Sequence, residues 1–457
     1  MKLPALELSE TPPQQLGRTL LARHVAMISI GGIIGAGLFV GSSAAIAVTG
    51  PAIIVSYALA GLVVLLVMRM LGEMAMALPG ISAFTEFSRV GLGQWAGFTS
   101  GWLYWYFWVV VVAIEAIAGA NLIQQWIAVP AWAIGLLLMV VLTGTNLFST
   151  RTYGELEFWF ASFKVAAILA FILLAGAYVL GFTSGAGPDF GNLVAHGGFA
   201  PFGVTSILAG VITVIFSLTG AEIATIAAAE SPEPSRTIAK LTNTVILRIV
   251  LFYVGSIFLI LCIVPWNEIV PGHSPFVAAM ERINVPAAAM MMNFIVLTAV
   301  LSCLNSGLYV TSRVLFTLAA KGDAPQSLVA VNSRKVPARA ILLGSAFAYL
   351  ALLAQVFSED VFTFLVNASG ATMLIIYVLV AFAQIRIRRH IEATAPERLG
   401  FKVWLFPWSS YLTIAAICAV MLAMAITPAL APQFWISGLL LAIVLGAFFL
   451  LRARRAA

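Results

Sequence analysis

Residues 31–39 read Gly31-Gly32-Ile33-Ile34-Gly35-Ala36-Gly37-Leu38-Phe39. The stretch lies inside an apolar run from Val25 to Val48, long enough to cross a bilayer as a helix. Its four glycines within seven residues are poor helix formers. In lipid a broken helix is tolerated only where the freed backbone is buried in protein or lines a wet cavity. The segment is therefore expected to unwind near mid-membrane and to present bare N–H groups. A half-helix restarting at Leu38 would aim its positive end at the break, a place suited to a carboxylate. The other use of such glycines is close helix packing through small residues. A second interrupted segment further along the chain favours the break.

Composition sets the class. Of 457 residues, 62% are hydrophobic and 9% charged, and the mean hydropathy is +1.05. That is an integral, polytopic membrane protein. The first fifteen residues are polar, contain Pro12 and Pro13 and lack an apolar core, so no cleavable signal peptide is expected. Cys262, Cys303 and Cys418 lie in or beside apolar runs, which suggests neither a disulfide framework nor a metal site. No phosphate-binding loop, nucleotide fingerprint or catalytic constellation is present, so no cofactor and no enzymatic role are expected. The net charge of +6 comes from basic residues dispersed in loops, which membrane topology explains better than nucleic acid.

About twelve spans are expected, near 25–48, 51–77, 95–120, 129–149, 156–181, 203–228, 242–264, 286–318, 339–357, 361–385, 404–427 and 433–451. Span eight is long enough to tilt or to continue past the bilayer. One set of connecting loops carries Arg23, Arg89, Arg151, Arg236, Lys240, Lys321, Arg334 and Arg386, while the other carries almost only Arg282. By the positive-inside rule both termini are expected to be cytoplasmic. The second interrupted segment, Ile215-Phe216-Ser217-Leu218-Thr219-Gly220-Ala221-Glu222, lies in span six. Spans one and six cross in opposite directions, with Gly35 and Gly220 at similar depths. That pattern predicts a five-plus-five inverted repeat with its site at the repeat interface. The expected organisation is an N-terminal segment 1–24, repeats 25–181 and 203–385, two further spans in 404–451, and a short tail 452–457. The loops 183–202 and 265–283, Gly/Pro-rich and holding His196 and His273, are read as connections.

Ionisable residues inside the membrane cost about 2.5–3.5 kcal/mol each on insertion scales, so each needs a partner or a task. Glu115, in span three, either faces a substrate ammonium or is hydrogen-bonded between helices. Glu222 follows the second break and could organise it by accepting freed N–H groups. Lys164, two turns into span five, is desolvated enough to lose and regain a proton during transport, unless it snorkels to the interface. Arg69, Glu73 and Arg313, near the ends of their spans, are read as a salt-bridge gate or interface anchors. Phe216, beside the break, is a candidate gate over an occupied site. Asn305 and Ser306 offer neutral polar contacts to a ligand or between helices. Most of the aromatic run 102–108 is read as interfacial or packing residues.

Gly32-Ile33-Ile34-Gly35-Ala36-Gly37-Leu38-Phe39-Val40-Gly41, then Arg69-Met70-Leu71-Gly72-Glu73-Met74, resemble the amino acid–polyamine–organocation permeases, and more narrowly their bacterial amino acid transporter branch. The likeness runs through Ser302-Cys303-Leu304-Asn305-Ser306 and Gly322-Asp323-Ala324-Pro325. Within that branch, Gly220-Ala221-Glu222-Ile223-Ala224-Thr225, Gly101-Trp102-Leu103-Tyr104-Trp105 and Tyr153-Gly154-Glu155-Leu156-Glu157-Phe158-Trp159 look like the carriers of 4-aminobutyrate (GABA). The resemblance implies an all-α LeuT-like fold with discontinuous helices one and six, and proton-coupled uptake across a bacterial inner membrane. It also implies that Lys164 matches the span-five lysine of proton-coupled relatives. Ala36 departs from the pattern, where GABA-type relatives carry Ser. The expected partners are thus a small amino acid, protons and membrane lipid. The carboxylate would meet the N–H groups around Ile34, Gly35, Ala36 and Gly37. The ammonium would meet carbonyls of Phe216, Ser217 and Thr219, with Glu115 nearby. A broad neutral or aromatic amino acid permease is the alternative.

Overall fold

The computed structural model describes residues 21–456 except 33, 80, 82, 183–188, 224, 226–248, 285–286, 359–360, 362–363, 366–368, 370 and 429. The described residues form helices and turns, with no strand among them. Expectations that fall on Arg236 and Lys240 lie outside the described residues, as does the side chain of Phe216.

The glycine-rich stretch divides the first span into pieces. Helix α1 (Ala22–Gly31) stops, Gly35 is extended at φ −134°, and α2 (Ala36–Phe39) restarts the chain. A kink at Val40 leads into α3 (Gly41–Thr49). The helix therefore resumes at Ala36, two residues before the expected Leu38. The Gly35 carbonyl supplies the reason: it accepts the N–H groups of Leu38 and Phe39, closing the first turn early. After a 3-10 turn comes α4 (Ile53–Ala77). Then follow a short helix α5 (Phe84–Leu92), the 31-residue α6 (Gln94–Gln124), α7 (Ala131–Phe148) and α8 (Thr150–Val179). The Ser149 hydroxyl caps α8 by accepting the Thr152 N–H at 3.0 Å.

Helix α9 (Thr205–Leu218) carries the second interruption. Residues 219–222 are turn, and Gly220 takes φ +118°, a conformation that side-chain-bearing residues rarely adopt. Phe216 and Ser217 thus belong to the last turn of α9, and the chain unwinds only from Thr219. A π-helical stretch Ile249–Gly255 runs into α10 (Ser256–Ile263), followed by α11 (Pro275–Ile283). The 33-residue α12 (Ala288–Ala320) is about 50 Å long, well beyond a hydrocarbon core of about 30 Å. Helices α13 (Ala338–Ala354), α14 (Thr372–Thr394), α15 (Trp408–Ile426) and α16 (Ala431–Ala456) complete the described chain.

Two regions read as connections from the sequence are helical. Helix α5 holds Arg89, and α11 occupies most of the 265–283 loop. Both are nine residues long and amphipathic, too short and too polar to register as spans. Helix α14 runs past the expected limit of 385 to Thr394, carrying Arg386, Arg388 and Arg389 on its final turns.

Among the described residues seven helical runs are long and apolar enough to cross a membrane: Gly41–Ala77, Gln94–Gln124, Ala131–Phe148, Thr150–Val179, Met290–Ala320, Trp408–Ile426 and Ala431–Ala453. Shorter apolar helices cover Thr205–Ile215, Ile249–Ile263 and Ala338–Ala354. The outer surfaces of α7, α15 and α16 expose Leu137, Leu422 and Leu439 at 62–64%. A continuous apolar exterior of that kind suits lipid, not water. At the centre, α6 lies along α12, α9 along α4, and α1 along α8. The two interrupted segments are enclosed by this group.

Candidate functional site

Both breaks line one narrow cavity. Gly32, Gly35 and Gly37 contribute from the first, Ser217 and Thr219 from the second, and Phe107, Trp108, Val111, Glu115 and Cys303 from α6 and α12. The breaks meet because Gly37 has no side chain. A Cβ there would sit 2.8 Å from the Ser217 Cα and 2.9 Å from its Cβ. Beside it a larger cavity, lined by Val40, Gly41, Tyr57, Ile114, Thr213 and Gly272 among others, leads away toward the loop that precedes α11. A third, lined by Glu268, His273 and Glu281, shares Val40 and Gly272 with it. A lined route therefore runs from that face of the molecule to the two breaks.

The first break is held by buried side chains from two other helices, and the second by a buried carboxylate of its own turn. The Lys164 ammonium of α8, fully buried, donates to the Ile34 carbonyl at 2.8 Å. It does not snorkel. Glu115 Oε1 of α6 accepts the Ala36 N–H at 3.4 Å. Its Oε2 is buried and has no hydrogen-bond partner among the described residues. Glu115 therefore sits on one of the N–H groups expected to be bare. At the second break, both oxygens of Glu222 accept the Gly220 N–H at 3.2 Å. Tyr104 donates to Oε1 at 3.3 Å and Tyr377 to Oε2 at 3.2 Å. The Ser217 carbonyl accepts the Tyr253 hydroxyl at 3.0 Å. The Ile215 carbonyl accepts from both the N–H and the hydroxyl of Thr219.

The other residues singled out in the sequence fall elsewhere. Asn305 is buried in α12, and its Oδ1 accepts the Asn146 amide of α7 at 2.8 Å. Ser306 shares a hydrogen bond with Tyr153 at 3.2 Å. Both belong to the seam between α12 and its neighbours, and neither is among the residues lining the cavity.

Arg69 and Glu73, one turn apart on α4, both reach the 401–406 segment. Arg69 lies over the rings of Phe401 and Trp404, 4.5 and 3.7 Å from their centroids, and donates to the Lys402 carbonyl at 2.8 Å. Glu73 receives Arg388, the Gln384 amide at 2.7 Å and the Val403 N–H at 2.6 Å. Together they fasten the 401–406 segment onto α4 and α14. Arg313 lies over the Tyr309 ring at 4.0 Å and donates to Thr150 at 2.9 Å, in a separate cluster. Nearby, Arg89 of α5 bridges Glu86 and Asp323, closing α5 against the turn after α12.

Several contributors were not singled out from the sequence, Tyr377 at Glu222 among them. Tyr253 and Cys303 sit in apolar runs with nothing to mark them. Glu157, fully buried, accepts a hydrogen bond from Ser302. Its signal was available as a carboxylate one helical face from Lys164, seven residues earlier.

A family model described as amino acid permease matches residues 24–455. A gamma-aminobutyric acid permease of Bacillus subtilis (strain 168) is 49% identical over 443 residues, which cover 96% of this chain and 94% of the relative. A probable GABA permease of Pseudomonas aeruginosa is 46% identical, covering 90% and 87%. A gamma-aminobutyric acid permease of Escherichia coli (strain K12) is 42% identical, covering 94% and 92%.

Proposed function

The chain belongs to the amino acid permease family, and from that membership we propose that it carries 4-aminobutyrate or a related ω-amino acid inward by proton symport. It is a multi-pass membrane transporter, not an enzyme. The single observation that carries the substrate reading is the meeting of two helix breaks around Glu115 in one cavity. The names of the relatives support the choice of substrate. In this reading the fold is LeuT-like, with twelve spans, inverted repeats in 25–181 and 203–385, and both termini on the cytoplasmic side of a bacterial inner membrane. The breaks in the first and sixth spans support it.

The substrate carboxylate takes over the Ala36 N–H from Glu115 Oε1 and adds those of Gly35 and Gly37. Exchange of one carboxylate for another keeps that N–H satisfied throughout. The displaced Glu115, with Oε2 already unpaired, turns to the substrate ammonium, aided by carbonyls of the last turn of α9 around Phe216, Ser217 and Thr219. Phe107, Trp108 and Val111 supply an apolar wall for the methylene chain. Half-helix dipoles contribute about 0.3–1 kcal/mol each, and charge-assisted hydrogen bonds about 1.5–3, so hydrogen bonding sets orientation. Lys164, tied to the carbonyl at the first break, is the coupling residue: loss or gain of its proton changes what holds the break.

The test is competition in proteoliposomes. GABA is expected to compete better than butyrate or butylamine, each of which lacks one charged end. Equal competition by butyrate would show that the ammonium is not read. Stronger competition by phenylalanine than by GABA would establish the broad or aromatic permease instead.

A further inference from the structure

We propose that Glu157 is the proton-releasing carboxylate of this transporter, receiving the transported proton from the Lys164 cluster and passing it along the α8–α12 seam toward Thr150. The inference rests on the proton-symport reading and adds to it a second group and a direction.

The geometry begins with spacing. Glu157 and Lys164 lie seven residues apart on α8, two turns along one face, about 10 Å of helix rise. Both are fully buried. Lys164 feels Glu157, Cys303 and Glu115. Its ammonium thus stands between one carboxylate at the break and another two turns away. Two carboxylates and one ammonium would leave a net negative charge buried, which a membrane interior strongly disfavours. One added proton makes the cluster neutral. The cluster is therefore built to hold a single exchangeable proton beyond that of the lysine.

Glu157 is also equipped for exchange. Elsewhere in the chain the buried Glu73 collects donors from Arg388, Gln384 and the Val403 N–H. Glu157 takes the Ser302 hydroxyl on Oε1, Asn305 and Ser306 stand close enough to interact with the carboxylate, and its Oε2 is buried without a hydrogen-bond partner among the described residues. The groups around it are Lys164 from α8 itself and Ser302, Asn305 and Ser306 from α12. Arg23 and His24 of α1 are engaged by Glu155.

Beyond Glu157 the seam continues in the Ser306 and Tyr153 hydroxyls and then in aromatic and guanidinium contacts. Ser306 bonds Tyr153, whose ring stacks on Tyr309 at 4.2 Å, and Arg313 above Tyr309 donates to Thr150 at the start of α8. The step balances as one proton entering the cluster from the substrate side to form an O–H bond at Glu157, and that bond breaking as the proton leaves through the Ser306–Tyr153 hydroxyls, which regenerates the carboxylate.

The experiment uses the full chain in proteoliposomes with a trapped pH-sensitive dye. Wild type is expected to acidify the lumen as substrate enters. Glu157→Gln keeps the shape and the Ser302 contact but cannot titrate. It is expected to retain counterflow at a reduced rate and to lose at least tenfold in pH-driven accumulation and in protons carried per substrate. Wild-type proton stoichiometry in Glu157→Gln overturns the proposal while leaving the symport reading intact. No acidification by wild type overturns both. A second variant covers poor insertion of the first. Ser302→Ala removes the donor to the Glu157 carboxylate, which favours its protonated form and is expected to move the pH profile of driven uptake to the alkaline side. An unmoved profile also overturns the proposal.

Discussion

Glu115 shows how a single side chain can hold a place for a ligand. Its Oε1 occupies the Ala36 N–H and its Oε2 bonds to nothing described, so the site is part filled and part waiting. The sequence made Glu115 visible as a lone carboxylate in an apolar span. It could not tell which way the carboxylate faced, because that depends on where α2 restarts. Glu157 was less legible still. It stands in Tyr153-Gly154-Glu155-Leu156-Glu157, near the polar end of its span, where a carboxylate usually meets water, and only the packing of α12 buries it. Two outcomes follow at this scale. Gly37→Val is expected to abolish binding, since even a Cβ would lie 2.8 Å from the Ser217 backbone and a branched side chain adds more. Normal substrate binding by correctly inserted Gly37→Val would remove the cavity from consideration. Lys164→Ala is expected to lose proton-driven accumulation while exchange persists. Lys164→Arg should not restore it, because a guanidinium stays charged. Gradient-driven uptake beside counterflow in the same vesicles separates these outcomes.

Among the elements, the long apolar helices were legible as helices, though α8 starts six residues before and α14 ends nine residues past the expected limits. The breaks were legible as places but not as geometry. Glycine density located the first, yet the Gly35 carbonyl capped the new helix earlier than Leu38. The second begins at Thr219 because Ile215 and Glu222 satisfy the chain on either side of Gly220. Helices α5 and α11 escaped notice because nine amphipathic residues carry no span signal, although Ser274-Pro275 marks the start of α11. The 401–406 segment was likewise silent, although Arg69 and Glu73 were marked as a pair. They grip a common loop, through Phe401, Lys402, Val403 and Trp404. Removing one partner of a buried ion pair leaves the other uncompensated, at about 3–5 kcal/mol. Glu73→Ala strands Arg388 and frees the Val403 N–H, so it is expected to lower thermal stability in detergent markedly. A larger rate of transport without any fall in melting temperature would mean instead that the clamp acts only as a gate.

The whole molecule ties these parts to a driving force. Lys164 and Glu115 lie at the breaks, Glu157 lies two turns away, and lined cavities reach the breaks from the opposite face, beside Gly272 and His273. Away from these cavities, Arg89 pairs with Asp323 and Arg388 with Glu73, tying α5 and the 401–406 segment to the helices beside them. A zwitterionic substrate carries no net charge, so any charge moved per cycle belongs to the co-transported ion. With one proton per substrate, a membrane potential adds about 2.3 kcal/mol per 100 mV to inward movement. By itself that supports accumulation of about 50-fold at 100 mV. Uptake of GABA into vesicles with an imposed interior-negative potassium diffusion potential is therefore expected to rise with the potential, and to carry inward current at equal pH on both sides. Anionic butyrate moving with a single proton would carry no net charge and give no current, so the comparison also reads the charge of the substrate. Electroneutral GABA uptake, unaffected by the potential and still raised by an inward pH gradient, would mean that a second ion compensates the proton, and the neutral buried cluster around Lys164 would then need another occupant.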